Sequence, residues 1–95
     1  MIILLETDVY KLSAEVQGST YHLHFDYKLP KFTKFIYKAL LSQWFIILEE
    51  LKRRGVTEVT SAVPDSATKT HKWQLMFGLE EYDEYAEGTL YRRII

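Results

Sequence analysis

The sequence predicts an α/β (α+β) fold, a mixed and mostly antiparallel sheet with two helices in the order β-β-β-α-β-α-β-β. Three stretches carry that reading. Residues 20–27 alternate, with Tyr21, Leu23, Phe25 and Tyr27 on one face and Thr20, His22, His24 and Asp26 on the other, the period of a half-buried strand. Residues 33–54 repeat their apolar positions every three to four residues, the period of a helix with one face on a core. Residues 79–94 hold two strand-like runs around Glu87-Gly88, a closing hairpin. With 95 residues and 47% apolar composition the chain can fill one core and not two, so residues 1–95 are taken as one domain.

The elements follow in order. Residues 2–5 form a first strand, because Ile2-Ile3-Leu4-Leu5 stops at Glu6 and Asp8, too soon for a signal peptide's hydrophobic region or a membrane span. A second strand over 9–16 places Tyr10, Leu12, Ala14 and Val16 on one face, and Gln17-Gly18 turns the chain into the third. Pro30 closes the third strand, and Thr33 is the N-cap of a helix reaching about Arg54. Lys52, Arg53 and Arg54 complement the helix dipole, and Gly55 stops it. Its core stripe is Ile36, Leu40, Trp44, Ile47 and Leu51. Tyr37, Leu41 and Phe45 form a second stripe, about 100° round the axis. "WFIIL" at 44–48 is therefore apolar nearly all round, which suits a helix covered on two sides or one that offers a patch to a partner. A strand at 58–63 follows, then Pro64, an N-cap at Asp65 or Ser66, and a shorter helix through Trp73, Met76 and Phe77 with Gly78 as its C′ residue. A strand, a long helix and a strand in succession imply a right-handed crossover, hence a mixed sheet with helices packed on it.

Composition removes several function classes. Without cysteine there is no disulfide framework, no thiolate zinc site and no cysteine nucleophile, which suits a reducing compartment, and the cytoplasm is expected. A net charge of -1 gives no global attraction to nucleic acid or anionic membrane, so neither is an expected partner. The charges are nevertheless sorted: Lys28, Lys31, Lys34 and Lys38 surround the turn and the start of the long helix, and Glu80, Glu81, Asp83, Glu84 and Glu87 crowd the C-terminal region. They form two solvated faces, or a basic rim for a phosphate-bearing ligand or acidic partner. His22, His24 and Asp26 share a strand face at intervals of about 6.5 to 7 Å, a spacing that suits two metal ligands or a base and its orienter. No glutamate or cysteine nearby in the sequence completes a ligand set, so no metal is expected, and His71 is read as a helix-surface or partly packed histidine. Trp44 and Trp73 are assigned to packing.

The order of a hairpin, the turn "DYKLPKFTKFIYKAL" at 26–40, a long helix, a strand, a short helix and "MFGLEEYDEYAEGTLYRR" at 76–93 resembles the C-terminal two thirds of the GNAT superfamily of N-acetyltransferases. The resemblance covers residues 9–95 by element order more than by identity. It implies a GNAT-like fold and, in active members, direct transfer from acetyl-CoA to an amine. The front of the family fold, a strand and two helices that help to form the acceptor site, has no counterpart in this sequence. The family's glycine-rich phosphate loop falls on Lys34 and Ile36, or one residue further, where neither side chain is small. The family's proton-donating tyrosine, four residues before the glycine of a "GF" pair, falls on Gln74, since Gly78 is that glycine and Leu79 stands for the phenylalanine.

The resemblance therefore implies a degenerate member, similar to small truncated GNAT-like proteins of tailed phages that serve as virion components or act on host machinery. Two readings follow. In the first the chain is catalytically inactive, needs no cofactor, and holds a protein partner or a second copy of itself through Tyr37, Leu41 and Phe45 or an open sheet edge. In the second it is a minimal N-acetyltransferase, with acetyl-CoA cradled by Lys31, Thr33 and Lys34 and with His24 or Asp26, or His22, as base. The first is preferred because both the cradle and the acid are altered.

Overall fold

A computed structural model of the chain describes residues 1–28 and 34–95. The elements are β1 (Ile2–Glu6), β2 (Tyr10–Gln17), β3 (Thr20–Tyr27), α1 (Lys34–Arg53), β4 (Glu58–Pro64), α2 (Thr68–Met76), β5 (Glu80–Tyr85) and β6 (Gly88–Ile94). The expected order is met throughout. The strands form one six-stranded sheet in the order β1-β2-β3-β4-β6-β5. Every neighbouring pair is antiparallel except β3 with β4, the two strands joined by α1. The Pro30 turn, the Thr33 cap and the candidate residue Lys31 lie outside the described residues.

Local chemistry accounts for most boundaries. The β2–β3 connection is a two-residue loop with Gly18 first at φ 63°, the position where a type II′ turn requires positive φ. α1 and α2 end alike. The Val56 N–H donates to the Leu51 carbonyl and the Gly55 N–H to the Lys52 carbonyl; the Leu79 N–H donates to the Gln74 carbonyl and the Gly78 N–H to the Leu75 carbonyl. Both are Schellman caps, with Gly55 at φ 86° and Gly78 at φ 82° as their left-handed C′ residues. The start of α2 differs from expectation, since its N-cap is Ala67 and no side chain caps it. Asp65 and Ser66 belong instead to a turn that the Ala67 N–H closes onto the Pro64 carbonyl at 3.0 Å, so the helix can begin only after it.

Both helices pack on the sheet face that carries Tyr10, Leu12, Ala14, Leu23, Val59, Val63 and Tyr91. From α1 the buried side chains are Leu40, Trp44, Leu48 and Leu51, while Ile36, Leu41 and Ile47 are half-buried against the same core. The buried face thus takes in Leu41 and Leu48 beyond the expected stripe. Full burial of a leucine contributes about 1.5 to 3 kcal/mol. Val16, expected on the core face, is 49% exposed because the hairpin end runs beyond the helices. Trp44 is fully buried with its one polar atom satisfied, Nε1–H donating to the Phe77 carbonyl at 2.9 Å. The Arg93 guanidinium donates to the same carbonyl at 2.8 Å, joining α1, the end of α2 and β6 at one oxygen.

Gly88 is buried where β6 lies between β4 and β5, and a Cβ there would run into the Val63 carbonyl and the Pro64 Cα. Backbone cannot move aside as a flexible side chain can. Gly88→Ala is expected to cost about 1 to 3 kcal/mol in urea unfolding, the usual cost of overpacking; an unchanged midpoint would contradict this packing.

Candidate functional site

The site begins where the parallel pairing ends. β3 and β4 pair over four positions, from Thr20 with Glu58 to Leu23 with Ser61. Beyond them residues 24–27 of β3 and 62–64 of β4 have no partner in each other, so the strands part. Parted strands are where an extended ligand can pair with backbone N–H and C=O groups, although the Pro64 carbonyl already accepts from Ala67 N–H and His71. Pro64, which has no N–H to offer, ends β4 beyond the paired stretch.

A cleft of about 250 Å³ occupies the gap, lined by Leu23, His24, Phe25 and Asp26 from β3, residues 61–64 from β4, and Ala67, Thr70 and Gln74. On the helix side α2 closes it. Trp73 packs edge-on against Phe25 with ring centroids 4.9 Å apart, and against Tyr27 at 6.2 Å. Gln74 is 6% exposed and Ser61 7%, and both also line a small void of about 20 Å³ at the base of the gap. The candidate bases His24 and Asp26 are therefore brought to one rim of a real cleft.

His22 and His24 stand on the sheet face away from the helices, with ring centroids 5.2 Å apart and rings nearly perpendicular. His22 Nδ1 is 2.8 Å from the Thr60 hydroxyl of β4, a side-chain link across the last paired stretch before the strands part. His24 Nε2 is screened from solvent and makes no hydrogen bond; Glu15 Oε1 lies 3.3 Å away, at ion-pair distance but outside hydrogen-bond geometry. Burial lowers the His22 pKa below 6.5, the His24 charge lowers it further, and the Glu15 carboxylate opposes both. Among the described residues no three His, Cys, Asp or Glu side chains converge as metal ligands.

His71 has a structural role on α2. Its Nε2–H donates to the Pro64 carbonyl at 3.0 Å, since a carbonyl can only accept, and in the neutral ring Nδ1 accepts from the Tyr91 hydroxyl at 2.7 Å. Burial, with Glu81 as the secondary cause, raises the Tyr91 pKa. The chain ties α2 to the end of β4 and holds one wall of the cleft. Sequence reasoning missed it, as it missed Ser61; the one signal for Ser61 was a small polar residue at an inward strand position.

The other candidates are spread out. Lys34 is exposed at the first turn of α1, while Lys31 and Thr33 lie outside the described residues. Of the second helical stripe, Leu41 turns into the core, Tyr37 is half-buried with partners of its own, and Phe45 is 50% exposed next to Ile46 at 63%. No described helix is long and apolar enough to cross a membrane.

Solved structures share this fold. A PaiA N-acetyltransferase from Thermoplasma acidophilum, in complex with coenzyme A, matches 92% of the chain at a TM-score of 0.76 and 15% identity. A ribosomal-protein-S18-alanine N-acetyltransferase from Escherichia coli matches 92% at a TM-score of 0.67 and 17% identity. A GNAT-family acetyltransferase from Bacillus anthracis matches 92% at a TM-score of 0.64 and 14% identity. The fold is that of the GNAT N-acetyltransferases. The chain spans only 54%, 61% and 57% of those three structures, and at these identities the likeness concerns the fold alone. No family model matches the chain, and no curated protein matches it.

Coenzyme A, which that fold implies, fits the cleft in part. An extended amide arm suits the parted strand edges. Gln74 at the wall supplies no acid for a departing thiolate, and no glycine lies between Gly18 and Gly55 to let a backbone close on a pyrophosphate. The residues present do not fit the whole group.

The His22 pKa fixes the sign of one pH effect. A folded-state value below 6.5 means that the unfolded chain takes up the proton more readily, so the contribution is complete above pH 6.5 and is lost as pH falls through the folded value. Melting temperature should fall between about pH 7 and pH 5 by no more than one proton's linkage, and His22→Gln should flatten that slope. Equal slopes in the two proteins would show that His22 carries none of it.

Proposed function

We propose that the chain is a binding module on an acetyltransferase fold that does not itself transfer acetyl groups. The observation that carries this reading is Gln74, buried in the wall of the β3/β4 cleft at the position where the resemblance calls for a proton donor. An amide cannot act as an acid toward a thiolate. The lack of glycine in the segment that opens α1 supports the same reading, because a Cβ at each position holds the backbone away from a pyrophosphate. The module's function is to hold a protein partner or a second copy of itself. In the setting that the resemblance implies, it is a phage virion component or a factor directed at host machinery.

Exposed apolar surface gives such a module its means. Phe45 and Ile46 stand out of α1, and a groove of about 260 Å³ beside Phe45 runs between α1 and the end of β6. A minimal N-acetyltransferase is the second reading, and one observation favours it: the cleft stays open, with His24 at its rim beside the Glu15 carboxylate.

Calorimetric titration of acetyl-CoA, with Lys34→Glu as control, separates the two. The module reading predicts no heat at millimolar ligand at either of two temperatures; micromolar binding weakened by Lys34→Glu would overturn it in favour of the enzyme. Phe45→Asp should leave a folded chain and weaken capture of a partner that docks on α1 by tenfold or more, about 1.4 kcal/mol. Unchanged capture would remove α1 from the interface.

A further inference from the structure

Arg93 is a half-buried cation that is held in place without a counterion. Its Nη1 donates to the Phe77 carbonyl at 2.8 Å, and its guanidinium lies against Gly78, where a Cβ would run into Nη1 and Cζ. Among the described residues no carboxylate comes within ion-pair distance of it. A guanidinium fixed through Nη1 keeps its Nε–Nη2 edge, two parallel N–H donors that match the two oxygens of a carboxylate. Lysine could not replace it there, since an ammonium offers a point charge and no fork.

Two cavities meet at this residue. β5 begins at Glu80, opposite Arg92, so Arg93 and Ile94 run past it. The gap they leave is a cavity of about 400 Å³ lined by Gly78, Glu80, Arg92, Arg93 and Ile94. The second is the groove of about 260 Å³ beside α1, lined by Phe45, Leu48, Glu49 and Lys52 and again by Arg93 and Ile94. Arg92 stands over the Tyr82 ring, its Cζ 5.2 Å from the centroid, so Arg93 is the cation that the two cavities share.

The linings select a class of ligand. Phe45 and Leu48 supply an apolar wall beside one fixed polar group, the usual make-up of a small-molecule site. Arg92, Arg93 and Lys52 stand against Glu49 and Glu80, a surplus of one positive charge. A monoanion balances that surplus, whereas a dianion such as a phosphate monoester overshoots it and meets both carboxylates. A neutral molecule leaves the guanidinium edge unpaired.

We infer that Arg93 anchors a binding site for a small monocarboxylate with a hydrocarbon body, the carboxylate on the Nε–Nη2 edge and the body against Phe45 in the α1 groove. The site shares no lining residue with the β3/β4 cleft. It shares Phe45 with the surface assigned to the binding module, but the two readings fail separately. Acetyl transfer counts against the module and leaves this site standing, and loss of carboxylate binding does the reverse.

Nitrogen-15 NMR titration of the protein with sodium octanoate tests it, with octanamide and octyl phosphate as the neutral and dianionic counterparts. Octanoate is expected to shift the Arg93 Nε–H signal and the amides of residues 78–80 and 92–94 saturably, and to bind at least tenfold tighter than either counterpart. Arg93→Lys should weaken octanoate at least tenfold with the melting temperature kept. No saturable shift at millimolar octanoate would overturn the inference, as would shifts confined to the β3/β4 cleft. Octanamide bound equally well would remove the role of the charge, and octyl phosphate bound tighter would overturn the ligand class. Should Arg93→Lys unfold the chain, the wild-type Nε–H signal and the comparison of octanoate with octanamide decide.

Discussion

The parallel pairing of β3 with β4 stops after four positions, and much of the molecule is arranged around that stop. Two strands that part inside a sheet leave backbone groups to be satisfied and apolar side chains to be covered. Here α2 lies across the opening, with Trp73 against Phe25 and Tyr27 and with Gln74 and Ser61 in the floor. The cleft follows from strand divergence, with α2 and the residue before it closing one side.

The position of that wall depends on how α2 is anchored. Its C-terminal cap presents the Phe77 carbonyl to two donors, the Trp44 indole from α1 and the Arg93 guanidinium from β6. A buried helix-end carbonyl left without a partner would cost about 1 to 3 kcal/mol. The first turn of α2 is fixed independently, through His71 to Tyr91 and to the Pro64 carbonyl. Both ends of the helix that closes the cleft are therefore tied to strands beyond it, which suits a pre-formed binding surface with or without chemistry.

Elements set by local chemistry were legible in the sequence. Gly18, Gly55 and Gly78 each occupy the positive-φ position that turn or cap chemistry assigns to them, and the alternation of residues 20–27 gave the two faces of β3. What depends on distant partners was not legible. Asp65 looks like a helix cap, but its N–H is bonded to the Glu87 carbonyl in the β5–β6 turn, and the turn it belongs to delays the helix. The insertion of β6 between β4 and β5, and the point at which β3 leaves β4, are matters of register between strands that no local pattern records. Of the candidate site, His24 and Asp26 could be placed on a face, while the cleft that gives that face meaning needed β4 and α2 in position.

On the proposed reading the fold and the site point in different directions. The frame keeps an opening between β3 and β4 with the Gln74 amide in its lining, and the proposed reading takes that amide to stand where transfer chemistry would need an acid. A fold of this kind can keep its shape after its reaction is gone, because packing and caps maintain the frame and only a few side chains carry the chemistry. The most direct measurement is the release of free thiol from acetyl-CoA in the presence of the protein and a mixture of primary amines. The account predicts release no faster than in the protein-free mixture. Release above that background, abolished in His24→Ala, would contradict it.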